Sequence, residues 1–126
     1  MERMERIEKF SQEERKFLYL DFSGFRTCEE FDDLAEQAKL VIANYSECSL
    51  YVISNITDVR LNSCTKKVIL NFIQANAPYV KYSSVIGIDG IKKMMVEALI
   101  KLSKRNNFFF AFSKEQAIEL ILNKNL

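Results

Sequence analysis

Apolar residues in this chain fall into two kinds of run that alternate along its length. Short runs rich in β-branched and aromatic residues have the length and composition of strands. These are KFLYLDF (Lys16–Phe22), SLYVISNI (Ser49–Ile56), YSSVIGI (Tyr82–Ile88) and NFFFAF (Asn107–Phe112). An earlier run, RIEKF (Arg6–Phe10), is separated from the first of them by the charged turn SQEER, which predicts an antiparallel hairpin. Residues 1–14 are otherwise a polar lead, either an edge strand or partly disordered.

Between the strand runs the apolar positions change to helical spacing. In TCEEFDDLAEQAKLVIANY, residues Phe31, Leu34, Ala35, Ala38, Val41, Ile42 and Tyr45 share one face. Thr27 and Glu30 have the spacing of a capping box, and Glu29, Asp32 and Asp33 suit the positive end of a helix. Asn62 or Ser63 caps a second helix with Val68, Ile69, Phe72 and Ile73 inward, stopping before Pro78. Asp89 caps a third, whose expected inward stripe is Ile91, Met94, Met95, Ala98, Leu99 and Leu102. Ser113 and Gln116 open a fourth with another capping box. The order β(β)αβαβαβα predicts one α/β domain over residues 1–126. Its sheet is mainly parallel, with four or five strands according to whether the hairpin forms, and is covered by four helices.

Gly87 and Gly90, in GIDGIKK, sit where a strand gives way to a helix. The phrase lacks the spacing and the Ser/Thr of a P-loop, and has only G-x-x-G of a dinucleotide turn. Asp89 as N-cap is expected to occupy the N–H groups an anion would use. The glycines then read as a tight turn with close packing.

Composition narrows the chemistry. There is no histidine, which removes imidazole acid/base work, His-activated nucleophiles and the commonest zinc ligand. No pair of carboxylates can be placed across a cleft, so the expectation is no enzyme, no cofactor and no metal. Cys28, Cys48 and Cys64 lack C-x-x-C spacing and read as reduced thiols in a cytoplasmic protein. Residues 1–58 hold 7 basic and 13 acidic side chains, a net −6, while residues 59–126 carry +7. That split either gives a bipolar surface or is erased by folding. Lys92, Lys93, Lys101, Lys104 and Arg105 read as a solvated helix face rather than a nucleic-acid surface. No apolar run is long enough to span a membrane.

Five phrases in fixed order carry a resemblance: DFSG (Asp21–Gly24), TDVRL (Thr57–Leu61), NAPYVK (Asn76–Lys81), SVIGIDG (Ser84–Gly90) and FSKEQAIELI (Phe112–Ile121). In these the chain resembles small bacterial STAS-like domains, related to anti-sigma-factor antagonists of the SpoIIAA type. The resemblance implies a STAS fold and a regulatory protein partner. It also implies a phospho-switch at the start of the helix after the second core strand, where Ser63 stands. Asn62 replaces the family's acid and Thr65 its glycine, and a plain helix cap is the structural alternative for Ser63. The candidate binding residues are Ser23, Asp58, Asn62, Ser63, Cys64, Thr65 and Asp89, in the loops Ser23–Thr27, Asp58–Thr65 and Gly87–Gly90, with docking along the second helix. The functional expectation is a non-catalytic protein-interaction module, monomer or homodimer. The alternative is a carrier of a small apolar ligand or lipid, using a pocket lined by the Phe108–Phe112 strand.

Overall fold

A computed structural model describes residues 6–126. Of the polar lead expected over 1–14, residues 1–5 lie outside the described residues, and Ile7–Gln12 forms the edge strand β1. It pairs antiparallel with β2 (Arg15–Asp21), from Ile7 opposite Leu20 to Gln12 opposite Arg15. The two-residue loop left between them, Glu13 and Glu14, has φ of 51° and 67°, the left-handed geometry that matches strand twist in tight hairpins. The chain then alternates through α1 (Cys28–Ile42), β3 (Leu50–Asn55), α2 (Ser63–Asn76), β4 (Val80–Ile86), α3 (Gly90–Leu102), β5 (Phe108–Ala111) and α4 (Lys114–Asn123).

The strands lie in the order β1-β2-β3-β4-β5, antiparallel only between β1 and β2. Each crossover moves the sheet the same way. Right-handed connections therefore put α1, α2 and α3 on one face. Their residues Leu34, Ala38, Ile42, Ile73, Val96 and Ile100 close over Leu18, Leu20, Leu50, Val52 and Val85. The opposite face is covered by α4, which sets Ala117 and Ile121 against Phe17, Tyr51, Ile53 and Ile86. Helical cover is three to one.

Strand alternation divides the β5 aromatics between the layers. Phe108 and Phe110 pack with the three-helix core and Phe109 with the α4 core, while Phe112, just past the strand, is 90% exposed. α1 turns inward the row expected of it. α3 does not. Its buried residues are Val96, Leu99 and Ile100, while Ile91, Met94 and Leu102 are 77%, 67% and 65% exposed and Ala98 also faces out. Of the expected inward stripe, Leu99 is buried and Met95 half-buried. The helix carries two apolar rows, and packing on the sheet uses the other one.

The layer also keeps the charge split. The outer side of α1 presents Glu29, Asp33 and Glu36, and α3 with its following turn presents Lys92, Lys101 and Lys104, with α2 between the two helices. No helix among the described residues is long and apolar enough to cross a membrane.

Candidate functional site

The three candidate loops all leave the carboxyl ends of parallel strands, so they meet along one edge of the sheet. Two of them are built alike. After β2, Asp21 Oδ1 accepts hydrogen bonds from the Ser23 N–H at 3.0 Å and the Ser23 hydroxyl at 2.5 Å. After β3, Asn55 Oδ1 accepts from the Thr57 N–H at 3.0 Å and the Thr57 hydroxyl at 2.6 Å. Each side chain imitates a turn of backbone, and a left-handed residue follows, Gly24 (φ 75°) or Asp58 (φ 63°). The Phe22 N–H donates to Asn55 O at 2.8 Å and the Gly24 N–H to Thr57 O at 3.2 Å, so the loops continue the parallel ladder. Arg6 Nη1 donates to Asp21 O and Ser23 O. Ser23 is thereby a turn residue, half-buried and hydrogen-bonded.

α1 and α2 start beside one another because they follow adjacent strands. Thr27 Oγ1 accepts from the Glu30 N–H at 3.1 Å, and Glu30 Oε1 accepts from the Arg26 and Thr27 N–H groups. Those backbone bonds hold the Glu30 carboxyl below the usual 4.5. Asn62 caps α2 in the same reciprocal way: its Oδ1 accepts from the Thr65 N–H at 3.0 Å, and Thr65 Oγ1 accepts from the Asn62 N–H at 2.9 Å. Thr65 is buried and its hydroxyl donates to Arg60 O. Ser63, the first helical residue, is exposed and leaves the capping to Asn62. Its hydroxyl is accessible at the positive end of α2.

Cys28 and Cys64 do not stand as separate reduced thiols. They form a disulfide between the first turns of α1 and α2, with Cα atoms 6.2 Å apart across 36 residues of sequence. Cys48 is free and exposed, at the amino end of β3. Spacing along the chain conceals this pairing, which the crossover from β2 to β3 creates.

The glycine loop contains one further correction. Gly87, with φ 95°, lies against the Asn55–Thr57 turn. A Cβ there would overlap Thr57 Oγ1 and stand 2.8 Å from Asn55 Oδ1, so this is close packing of the kind expected. Asp89 takes the N-cap position by backbone, but its carboxylate makes no capping hydrogen bond. Gly90, the next residue, has φ 58°, so the first turn does not place its N–H groups under that carboxylate. Beside this loop an open groove of about 440 Å³ is lined by Asp58, Arg60, Leu61, Lys92 and Met95. Lys92 Nζ donates across it to Val59 O at 3.3 Å. Lys92 and Met95 bring α3 to the groove, and the exposed Ile91, Met94 and Leu102 lie on the same helix. The outer side of α2 is polar, with Lys67, Asn71 and Gln74 exposed.

Under α2 and α3 the core holds an apolar cavity of about 60 Å³, lined by Phe22, Phe31, Phe72 and Phe108, with Arg105 among its walls. Arg105 does not extend into solvent with the neighbouring lysines. Its guanidinium lies 4.5 Å above the Phe108 ring, Nε donates to Asn107 Oδ1 and Nη1 donates to Ile73 O. Nη2 is buried with no partner among the described residues. Burial pushes the group down from the usual guanidinium range to about 10, which leaves it charged near neutral pH. No cluster of His, Cys, Asp or Glu suited to a metal ion occurs among the described residues.

The loop edge thus combines hydrogen-bonded turns, an exposed serine, a disulfide and a groove walled in part by α3. The resemblance pointed to Ser63, and the place of its loop after a strand pointed to Asp58; Arg60, Lys92 and the outward row of α3 gave no signal separable from ordinary surface or core. No family model matches the chain, and no curated protein matches it.

Proposed function

We propose that this chain is a non-catalytic interaction module of the STAS type. It docks a partner protein in the Asp58–Lys92 groove and along the outer row of α3. The observation that supports this most is the row itself: three large apolar side chains on one helix face solvent, beside a groove, with Lys92, Lys101 and Lys104 around them against one exposed acid of the helix, Glu97. Large apolar side chains in such a row favour a partner that takes them out of water. The lysines favour an acidic one, an amphipathic segment with carboxylates flanking its apolar side. Docking then lies beside α2 rather than along it. A phosphate on Ser63 would add negative charge at the start of α2, close to Arg60 in the groove wall, and so tune the docking.

A carrier of a small apolar ligand is the second reading, supported by the cavity over Phe108. At about 60 Å³ it holds a few waters or a few heavy atoms, far short of a lipid chain.

The test is affinity purification from the source organism with the unaltered chain and with an Ile91→Asp, Met94→Asp double variant, followed by quantitative mass spectrometry. A stoichiometric protein retained by the first and lost by the second is the expected result. Identical profiles for the two sink the docking surface. A small molecule released on denaturation, without any protein, replaces this reading with the carrier. A phosphate adduct abolished by Ser63→Ala identifies the switch position.

A further inference from the structure

We propose that Cys28 and Cys64 form a thiol–disulfide exchange site whose co-reactants are low-molecular-weight disulfides and thiols of the glutathione class, with Cys64 the sulfur they reach. This stands apart from the docking reading, because it concerns the isolated chain.

The pair lies at the rim of the fold. Neither cysteine belongs to the two apolar cores; Cys64 is exposed and Cys28 partly so. Exposed disulfides are the labile, exchangeable ones, while buried ones resist reduction. Each sulfur also leaves from the first turn of a helix, Cys28 at the first helical position of α1 and Cys64 at the second of α2. Free N–H groups and the helix dipole favour thiolate charge there. Arg26 and Arg60 line the same recess of about 80 Å³ as Cys28, Asn62 and Thr65. Opposing charge comes from Glu29 and Glu30 of α1, but the Glu30 carboxylate is held by the Arg26 and Thr27 N–H groups, and the first turn of α2 has no acid. The arginine-lined recess is on the Cys28 side, whereas Cys64 has the acid-free helix start and the greater exposure, and exposure decides which sulfur a small disulfide reaches.

Nothing else at this edge needs the cross-link. Each helix has its own reciprocal cap, and the loops are joined by the Phe22–Asn55 and Gly24–Thr57 backbone bonds. The fold is thus built to persist in both redox states.

Starting from the dithiol, the Cys64 thiolate attacks one sulfur of the small disulfide. That S–S bond breaks, a mixed disulfide forms on Cys64, and the departing thiolate takes up a proton. The Cys28 thiolate then attacks the Cys64 sulfur, closing the intramolecular bond and expelling the second small thiol. Two protein thiols give up two electrons and two protons, and the small disulfide receives them as two thiols. Cys48, at the opposite end of β3, takes no part. Oxidation staples α1 to α2 one residue from Ser63.

The test uses the full chain with Cys48→Ser, equilibrated in buffers graded from glutathione disulfide alone to excess glutathione, alkylated and weighed intact. The expected result is no alkylated thiol at the oxidising end and two at the reducing end. A single two-electron transition should lie between them, with unchanged circular dichroism. A pair that stays reduced in glutathione disulfide alone overturns the proposal, as does one that stays oxidised in excess glutathione. Peptide mapping of the unsubstituted chain reads the same transition without any variant. In single variants, Cys28→Ser should accumulate the mixed disulfide on Cys64 several-fold faster than Cys64→Ser accumulates it on Cys28; equal rates remove Cys64 from its assigned role.

Discussion

α1 and α3 lie on the same face of the sheet, one on each side of α2, and treat their apolar residues in opposite ways. α1 turns one long apolar row inward, Phe31, Leu34, Ala35, Ala38 and Ile42, and leaves a single large apolar side chain, Leu40, 72% exposed. α3 has two apolar rows. Val96, Leu99 and Ile100 meet the sheet, and Ile91, Met94 and Leu102 are left in water. The starts of the two helices differ as well. α1 begins with a reciprocal capping box, α3 with an extended Asp89, a left-handed Gly90 and no side-chain cap bond. α3, with three large apolar side chains in solvent and no side-chain cap bond, is the helix to which the docking proposal assigns a partner.

The largest effect that sharpens this contrast is on core packing. Leu34 is fully buried, and Leu34→Ala should lower stability by about 3 kcal/mol through lost transfer energy and a residual cavity. Met94→Ala, on the outer row, should stay within about 0.5 kcal/mol of the unaltered chain. Urea midpoints at unchanged slope read both; similar losses would mean that α3 packs through the row assigned here to the surface.

Next come the caps. Thr27→Ala should cost about 1 kcal/mol, because the Glu30 N–H loses its acceptor. Asp89→Ala should cost less than about 0.5 kcal/mol, since only a charge near the dipole is lost. A larger loss at Asp89 than at Thr27 breaks the comparison.

The smallest effect is the pH dependence of the α1 cap. Backbone N–H groups of Arg26 and Thr27 lower the Glu30 carboxyl below 4.5, so the unfolded chain binds its proton more readily than the folded one. The contribution is complete above the unfolded value and is lost as pH falls through the lowered folded value. Glu30→Gln should therefore be less stable than the unaltered chain at about pH 7, and the gap should close by about pH 2. Denaturation at the two pH values measures it, and a gap that persists in acid assigns the effect to something other than charge.

Periodicity, turn chemistry and caps are local, and so they were legible. The alternation of runs gave each strand and helix, Thr27 with Glu30 announced the start of α1, and Pro78 marked where α2 had to stop. Gly87 read correctly as close packing, although its neighbour, the Thr57 turn, is 30 residues away in the chain. The Asp89 side chain does not cap because Gly90, the first residue of α3, has a left-handed φ of 58° rather than right-handed helical angles. The site was less legible than the fold. Ser63 was a candidate through the resemblance and Asp58 through its position after a strand, but Arg60, Lys92 and Ile91 look in sequence like any surface or core residue.

By itself, then, the sequence determined which segments are strands and helices, their order and most of their ends, because hydrogen-bonding preference and side-chain period act over a few residues. Only the tertiary structure decided which row of α3 faces the sheet, that Arg105 turns inward over Phe108, and that Cys28 meets Cys64. Each of those depends on where the unreversed run of right-handed crossovers sets one element beside another, and no spacing within a single element records it.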